Sequence, residues 1–525
     1  SYVRLCTCDF RLLALEQKSF GNCKVYFLTF PKVKCKTYKR EKCHMVRTRY
    51  APSPTGFMHI GNLRTALYEY LVARKAGGAF ILRIEDTDQE RLVDGATDAI
   101  FDTMEIAGLK FDEGPGIGGD YGPYIQSERK ADYLPHALGL IKNGKAYYCF
   151  CKKERLDTLA DERGLKKYDR FCHKLSAQEA AQRINDGEQY VIRQLIPEGK
   201  TTFHDEVFGD ITIDNIEMED QILIKSDGMP TYNFANVIDD HQMAISHVMR
   251  GSEYLASTPK YKLLYEALGW DVPFFVHLPL LQNDKGQKIS KRHGDSSVRQ
   301  LTEAGFLPEA IVNYAALLGW SPAVSGEDGK TREIFTLAEL EKVFELKNIS
   351  KSPSTVDMNK LKWVNGEFIK ALPPEVFAEM ALPYLKEAVK KPGVDYSALA
   401  KMTQSRVTVA KDCAELVDFI DELPDYSIEL YTHKKMKTNP EVAKKSLELA
   451  IAGLEQLSEW THDSLFAAVA KIAEANGLKN GQVLWPIRTA LSGKPTTPCG
   501  ATEICEILGK EETLRRLEIG LRKLK

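Results

Sequence analysis

Arg49-Tyr-Ala-Pro-Ser-Pro-Thr-Gly-Phe-Met-His-Ile-Gly-Asn62 is the stretch on which the fold turns. Residues 46–50, which run into it, read as a short strand. Pro52 and Pro54 have no N–H to give to a sheet, so the chain must leave the strand there as a loop. From Gly61 onward Leu63, Ala66, Leu67, Tyr70 and Leu71 recur at helical spacing, and Gly77-Gly78 ends the helix. Residues 79–84 are a second apolar strand. Strand, helix and strand within about 35 residues make the βαβ unit of a parallel sheet.

Outward from this unit, 525 residues suggest about three or four domains. A composition of 43% hydrophobic and 27% charged residues excludes wholesale disorder. No apolar run approaches the ~20 residues of a membrane span. The net charge of −2 means that any polyanion must be held by local basic faces rather than by the whole surface. Between about Gln126 and Gly228 the character changes: a cysteine-containing stretch precedes strand-like runs at 191–195 and 222–224, which reads as an insertion. Parallel-sheet character is expected to return near 236–238 and 247–249, and beyond about Phe335 the chain reads as helical. Eleven cysteines, an odd number, with no secretory signal, point to a reducing, cytoplasmic compartment. Residues 1–44 look foreign to the rest and are read as an upstream extension outside the fold, with Met45 as the natural start; a basic arm touching RNA is the alternative.

The quoted stretch places His59 and Gly61 at a helix N-terminus, where unpaired N–H groups and the helix dipole suit a phosphate. Gly61 lets a nucleotide approach the backbone. Far along the chain, Lys288-Ile-Ser-Lys-Arg292 supplies a cationic loop able to neutralise charge on a triphosphate. Either motif alone is weak; together and in this order they are specific.

The two motifs resemble the H-I-G-H and K-M-S-K-S signatures of class I aminoacyl-tRNA synthetases. A-P-S-P-T-G-x-x-H-I-G-N at 51–62, R-I-E-D-T-D at 83–88, G-P-Y-x-Q-S-E-R at 122–129, K-I-S-K-R at 288–292 and K-W-V-N-G at 362–366 are similar to bacterial-type glutamyl-tRNA synthetases. Glutaminyl relatives usually show R-F-D-D-T-N and V-M-S-K-R instead. The resemblance covers 45–525 and implies an α/β Rossmann-like catalytic domain (46–126 and 230–287) split by an acceptor-stem-binding insertion (127–229). A stem-contact segment (288–367) and all-α anticodon-binding domains (368–525) follow. It implies a glutamate–tRNA ligase that uses ATP and Mg²⁺ to form glutamyl-adenylate and then charges tRNA(Glu). The alternative is an enzyme that also glutamylates tRNA(Gln).

The same resemblance assigns roles. His59, Lys291 and Lys288 would stabilise the phosphorus under attack, with Gly61, Asn62, Glu253, Ser290 and Arg292 completing the ATP site. Arg49 and Tyr232 would hold the substrate's side-chain carboxylate, Arg250 its α-carboxylate and Glu85 its ammonium, with Ala51, Ser53 and Asn236 around them. A bidentate pair with the Arg49 guanidinium would favour glutamate over glutamine. Arg406 falls near the position that tests the third anticodon base.

Cys149 and Cys151, with Cys172 about twenty residues on, form a tetrahedral zinc pattern. Many members of the resembled family carry Zn²⁺ here; Tyr168 is preferred to His173 as fourth ligand, and three buried thiols without metal are the alternative. Basic runs at 401–411, 434–437 and 515–525 are candidate tRNA faces, each by default a solvated helix surface, and Trp485 reads as a core residue. A monomer without membrane contact is expected.

Overall fold

The computed structural model describes residues 15–20, 23–28, 45–88, 91–159, 167–288, 297–326 and 329–525. The chain divides into two units, 1–44 and 45–525. In the first, β1 (Leu15–Phe20) and β2 (Cys23–Leu28) pair antiparallel.

The second unit begins with the βαβ element read from the sequence. β3 (Arg47–Tyr50) pairs parallel with β4 (Ala79–Leu82), and α1 (Ile60–Lys75) crosses between them. Leu63, Leu67, Tyr68 and Leu71 of α1 are buried, and the helix carries Arg74 and Lys75 in its last turn, where the dipole favours cations. α2 (Ala96–Ile106) and α3 (Lys130–Lys142) follow, the latter packed on later helices of the sheet layer. The chain then runs β5 (Ala146–Cys149), α4 (Lys153–Asp157), α5 (Ala177–Asn185), β6 (Val191–Gln194), β7 (Lys200–Asp205), β8 (Gly209–Asp214) and β9 (Ile222–Ile224). β5, β6 and β9 form an antiparallel sheet. The chain returns through α6 (Tyr232–Gln242), β10 (His247–Gly251), α7 (Thr258–Leu268) and β11 (Phe274–Leu278). β10 and β11 are parallel, and Ser246 N donates to Arg47 O (3.0 Å), which sets this pair beside β3. β7 joins the edge of β11 at the single pair Phe275–Asp205.

One sequence expectation is corrected here. Residues 236–238 lie inside α6 rather than in a strand. Phe234 through Asp240 are all buried, and a short apolar run buried on every side carries no period to separate helix from strand.

Beyond β12 (Leu281–Gln282), α8 (Val298–Glu303), α9 (Pro308–Leu317), α10 (Leu337–Val343) and β13 (Ser354–Thr355) pack on α1 or extend its layer. α11 (Met358–Ala371) then belongs to two cores: Leu361 and Val364 lie in the core of α1, whereas Ile369 lies in that of the C-terminal helices. Asn365, fully buried on α11, accepts from Leu307 N (2.8 Å) and donates to Thr408 O (2.6 Å), so one amide ties both halves. The rest is helical: α12 (Pro374–Ala388), α13 (Tyr396–Thr403), α14 (Cys413–Val417), α15 (Pro440–Glu455), α16 (His462–Ala475), α17 (Asn480–Ser492), α18 (Ala501–Leu508) and α19 (Lys510–Lys523).

Arg516, expected in a solvated basic face, is fully buried instead. Its guanidinium donates to the carbonyls of Phe419 (2.6 Å), Leu491 (2.8 Å) and Ile420 (3.0 Å), closing helix ends that would otherwise be unsatisfied. Glu512 pairs with Arg516 and Arg515, and the hydrogen bonds from Arg515, with Arg516 behind them, hold its carboxyl down at about 2 against burial. A carboxyl held below its unfolded value stabilises the fold above that value, and loses the contribution as pH falls through the folded one. Glu512→Gln is therefore expected to melt below wild type at pH 7. That deficit should shrink as the pH of the melt is taken from about 4.5 toward 2.

Candidate active site

Residues 49–53, the start of α1, the end of β10, residues 279–281 and Lys288 line a cleft of about 330 Å³. It sits at the carboxyl ends of the parallel strands, where open α/β sheets place their ligands. His59 is the N-cap of α1, and its Nδ1 accepts from Gly61 N (3.0 Å) and Asn62 N (3.4 Å). In the neutral ring this leaves the proton on Nε2. Asn62 Oδ1 reaches back to His59 N (3.2 Å) and completes a capping box. The second and third amides of α1 are thus taken by the imidazole, not left open for a phosphate as the sequence reading supposes. Gly61 is required for the same reason: a Cβ there would lie 2.8 Å from His59 Cε1.

Behind the cleft lies a chain of buried charges. Arg49 gives Nε (2.9 Å) and Nη2 (3.2 Å) to Asp240, and Nη1 to Glu69 (3.4 Å) and Met249 O (3.3 Å). Arg83 bridges Asp240 (2.8 Å) and Glu85 (2.9 Å). Asp239 receives Arg129 Nε (2.7 Å) and Gln126 Nε2 (2.8 Å). Burial works against the Asp240 carboxylate, yet Arg49 and Arg83 hold it below the ordinary range. Burial wins at Glu85 and Glu69, whose carboxyls are pushed up, the latter strongly. One edge of the Arg49 fork is occupied by Asp240, so selection against glutamine cannot rest on that edge.

Several buried polar atoms have no hydrogen-bond partner among the described residues: Glu85 Oε2, both amide atoms of Asn236, Arg250 Nε and Nη1, and Glu69 Oε2. Arg250 lies over the ring of Tyr261 (4.5 Å to the centroid), and Tyr232 and Tyr254 stand 6.0 Å apart. Ala51, Ser53, Tyr232 and Arg250 line the cleft; Glu85 does not, and Asn236 is buried one turn beyond Tyr232 on α6. Unpaired buried groups are costly, and such clusters mark places where a ligand completes the bonding. An acid beside guanidinium and amide groups suits a molecule carrying both an ammonium and a carboxylate.

Lys288 Nζ pairs with Glu253 Oε1 (2.9 Å) at the rim. Ser290, Lys291 and Arg292 lie outside the described residues. Three polar side chains that line the cleft escape the sequence reading: Arg64, Thr65 and Glu69. The signal available was a charge within an apolar helical run, since Tyr68, Glu69, Tyr70 and Leu71 are consecutive and all buried.

Away from the cleft, Cys149, Cys151 and Cys172 hold their sulfurs within 4.8 Å of one another. The Tyr168 hydroxyl lies 3.2 Å from Cys149 Sγ and 3.5 Å from Cys151 Sγ, whereas His173 packs its ring against Tyr147. The donor set fits Zn²⁺: three thiols at the spacing of tetrahedral corners, with an oxygen beside them. In the helical half, Arg406 lines an open groove with His433, Trp485 and Arg488. Trp485, read as core, is half-buried there, its ring tilted against that of His433 (4.0 Å between centroids) beneath Arg488 (4.1 Å).

Residues 45–363 match the family of class I tRNA synthetases (E and Q), catalytic domain, and 376–521 match the anticodon binding domain family. The chain is 54% identical over 484 residues to the glutamate–tRNA ligase of Clostridium novyi, covering 91% of this chain and 98% of that one. It is 55% identical over 485 residues to the glutamate–tRNA ligase of Clostridium botulinum (strain Loch Maree), covering 91% and 99%. A crystal structure of the glutamate tRNA ligase of Elizabethkingia meningosepticum, in complex with its amino acid, superposes with a TM-score of 0.78 at 35% identity, covering 92% of this chain and all of that one. The chain belongs to the glutamate–tRNA ligase family of class I tRNA synthetases.

Proposed function

We propose that the cleft activates L-glutamate with ATP and Mg²⁺ and passes the product to the 3′ end of tRNA(Glu). The observation that carries this reading is the set of unpaired buried groups of Glu85, Asn236 and Arg250 beside a histidine-capped helix. Glu85 receives the ammonium, Arg250 the α-carboxylate, and Arg49 with Tyr232 the side-chain carboxylate. A carboxylate oxygen of glutamate attacks the α-phosphorus, the bond to the bridging oxygen breaks, and diphosphate leaves with the electron pair. A ribose hydroxyl of the tRNA then attacks the activated carbonyl and AMP departs. No side chain acts as nucleophile, so catalysis is positioning plus charge stabilisation. His59 donates from Nε2 toward the phosphate oxygens, while Lys288, released from its exposed pair with Glu253, and Lys291 offset the growing charge; an exposed pair is worth only about 0–1 kcal/mol and exchanges readily. Mg²⁺ when bound supplies charge neutralisation on the triphosphate.

Purified protein is expected to support glutamate-dependent exchange of diphosphate into ATP when tRNA is present, and to charge tRNA(Glu). Exchange with no amino-acid preference would defeat the reading. Charging of tRNA(Gln) in the same assay would indicate the non-discriminating alternative.

Cys149, Cys151, Cys172 and Tyr168 would hold Zn²⁺, which crosslinks the strand end of β5 to the segment before α5. The purified chain is expected to carry one zinc by elemental analysis. Chelation should raise hydrogen exchange across 147–174 while leaving ATP affinity unchanged. The domain limits read from the sequence accompany this function: an acceptor-stem insertion at 127–229, a stem-contact segment at 288–367 and an anticodon-reading region at 368–525. The Arg406–Trp485 groove would supply an aromatic face and cations for splayed bases. No helix among the described residues is long and apolar enough to cross a membrane, and a monomer working in the cytoplasm fits this role.

A further inference from the structure

We propose that Glu69 meets the side-chain end of the substrate amino acid, and that it does so protonated, donating a hydrogen bond from Oε2 to the substrate carboxylate. The inference rests on the reading of the cleft as a glutamate site and adds a residue to it. Glu69 sits on α1 with 1% of its surface exposed, and it lines the cleft. Thr48 Oγ1 fixes its backbone by donating to Glu69 O (2.8 Å).

The charged and titratable groups around it are Arg49 and Tyr50 on β3, Arg83 after β4, Asp240 on α6 and Arg250 on β10. Asp240 has first claim on these cations, with contacts of 2.9 and 3.2 Å to Arg49 and 2.8 Å to Arg83. Glu69 retains one long contact to Arg49, 3.4 Å, and its Oε2 has no partner among the described residues. Two carboxylates sharing one guanidinium in a dry site do not both stay ionised, and the less well-bonded one takes the proton. Burial pushes Glu69 up in agreement with this geometry. A substrate carboxylate arriving at Arg49 adds a further negative charge, which an ionised Glu69 would repel and a neutral one would bind.

The test measures KM for glutamate and kcat of tRNA charging from pH 6.5 to 9 in wild type, Glu69→Gln and Glu69→Ala. In wild type KM is expected to hold steady while Glu69 keeps its proton and to rise wherever within this range the proton is lost. Glu69→Gln keeps a donor and no charge, so its KM should stay within about threefold of wild type at pH 7 and be flat with pH. Glu69→Ala should raise KM about tenfold to a hundredfold, with kcat changed far less. A KM for Glu69→Gln more than about tenfold above wild type at pH 7, a pH dependence surviving in Glu69→Gln, or an alanine variant in which kcat falls and KM does not, overturns the proposal. Should the alanine variant fail to fold, the wild-type and glutamine profiles decide alone. Should wild type charge no tRNA with glutamate, the reading of the cleft fails first and the role of Glu69 falls with it.

Discussion

Alanine at position 59 is expected to lower kcat for tRNA charging by about two to three orders of magnitude, the scale of losing one preorganised donor to a developing oxyanion. KM for glutamate should change little, because His59 contacts neither Asp240 nor the unpaired set around Arg250. The imidazole has a second task, accepting from Gly61 N and Asn62 N, so the variant also loses an N-cap, worth about 0.5–2 kcal/mol. Asparagine separates the two. Its side chain caps α1 as well as histidine or better but cannot present a donor at the reach of Nε2, so His59→Asn should melt near wild type and remain as slow as His59→Ala. Steady-state charging and thermal melts on both variants check this. An active His59→Asn would remove the imidazole from the chemistry.

Asp240→Ala is expected to be the most damaging single change to stability behind the cleft. Asp240 is 1% exposed and binds two guanidinium groups at once. Its removal leaves Arg49 and Arg83 short of a counter-charge in a dry site, a change that typically costs about 3–5 kcal/mol. A fall in melting temperature of about 3–5 °C follows for a unit of this size. The substrate effect should be equally marked: freed from Asp240, Arg49 swings toward Glu69, ionises it and presents a different face to the cleft, so KM for glutamate should rise by at least tenfold. A variant melting within about 1 °C of wild type (a shift near 1 kcal/mol) would mean that the buried charges are compensated some other way.

The sequence was most legible where local chemistry and fold coincide. Strand, proline loop and capped helix at 46–75 announce themselves through period and punctuation. Arg49, Arg250, Ser53 and Tyr232, named from the family resemblance, fall around one cleft. What remained hidden was long-range. Asp240 reaches Arg49 across 191 positions, and nothing local distinguishes it from the neighbouring Asp239. Glu69 lies inside a helix buried on nearly all sides, where an acid has no periodic meaning. Residues 236–238 misled for a related reason, since full burial erases the difference between the two periods. Arg516 reads as a surface charge until the three carbonyls it closes are brought to it from 25 to 97 positions away.

The shared helix α11 has a mechanical consequence. Fourteen residues of unbroken α-helix, about 21 Å long, are gripped by a core at each end, and the Asn365 amide pins a loop from either side. No swivel separates the halves at this joint, so they turn as a single lever arm. A nucleic acid bound at both ends of such a body is gauged by its length: a shortened or lengthened one engages one end and misses the other, whatever its base sequence.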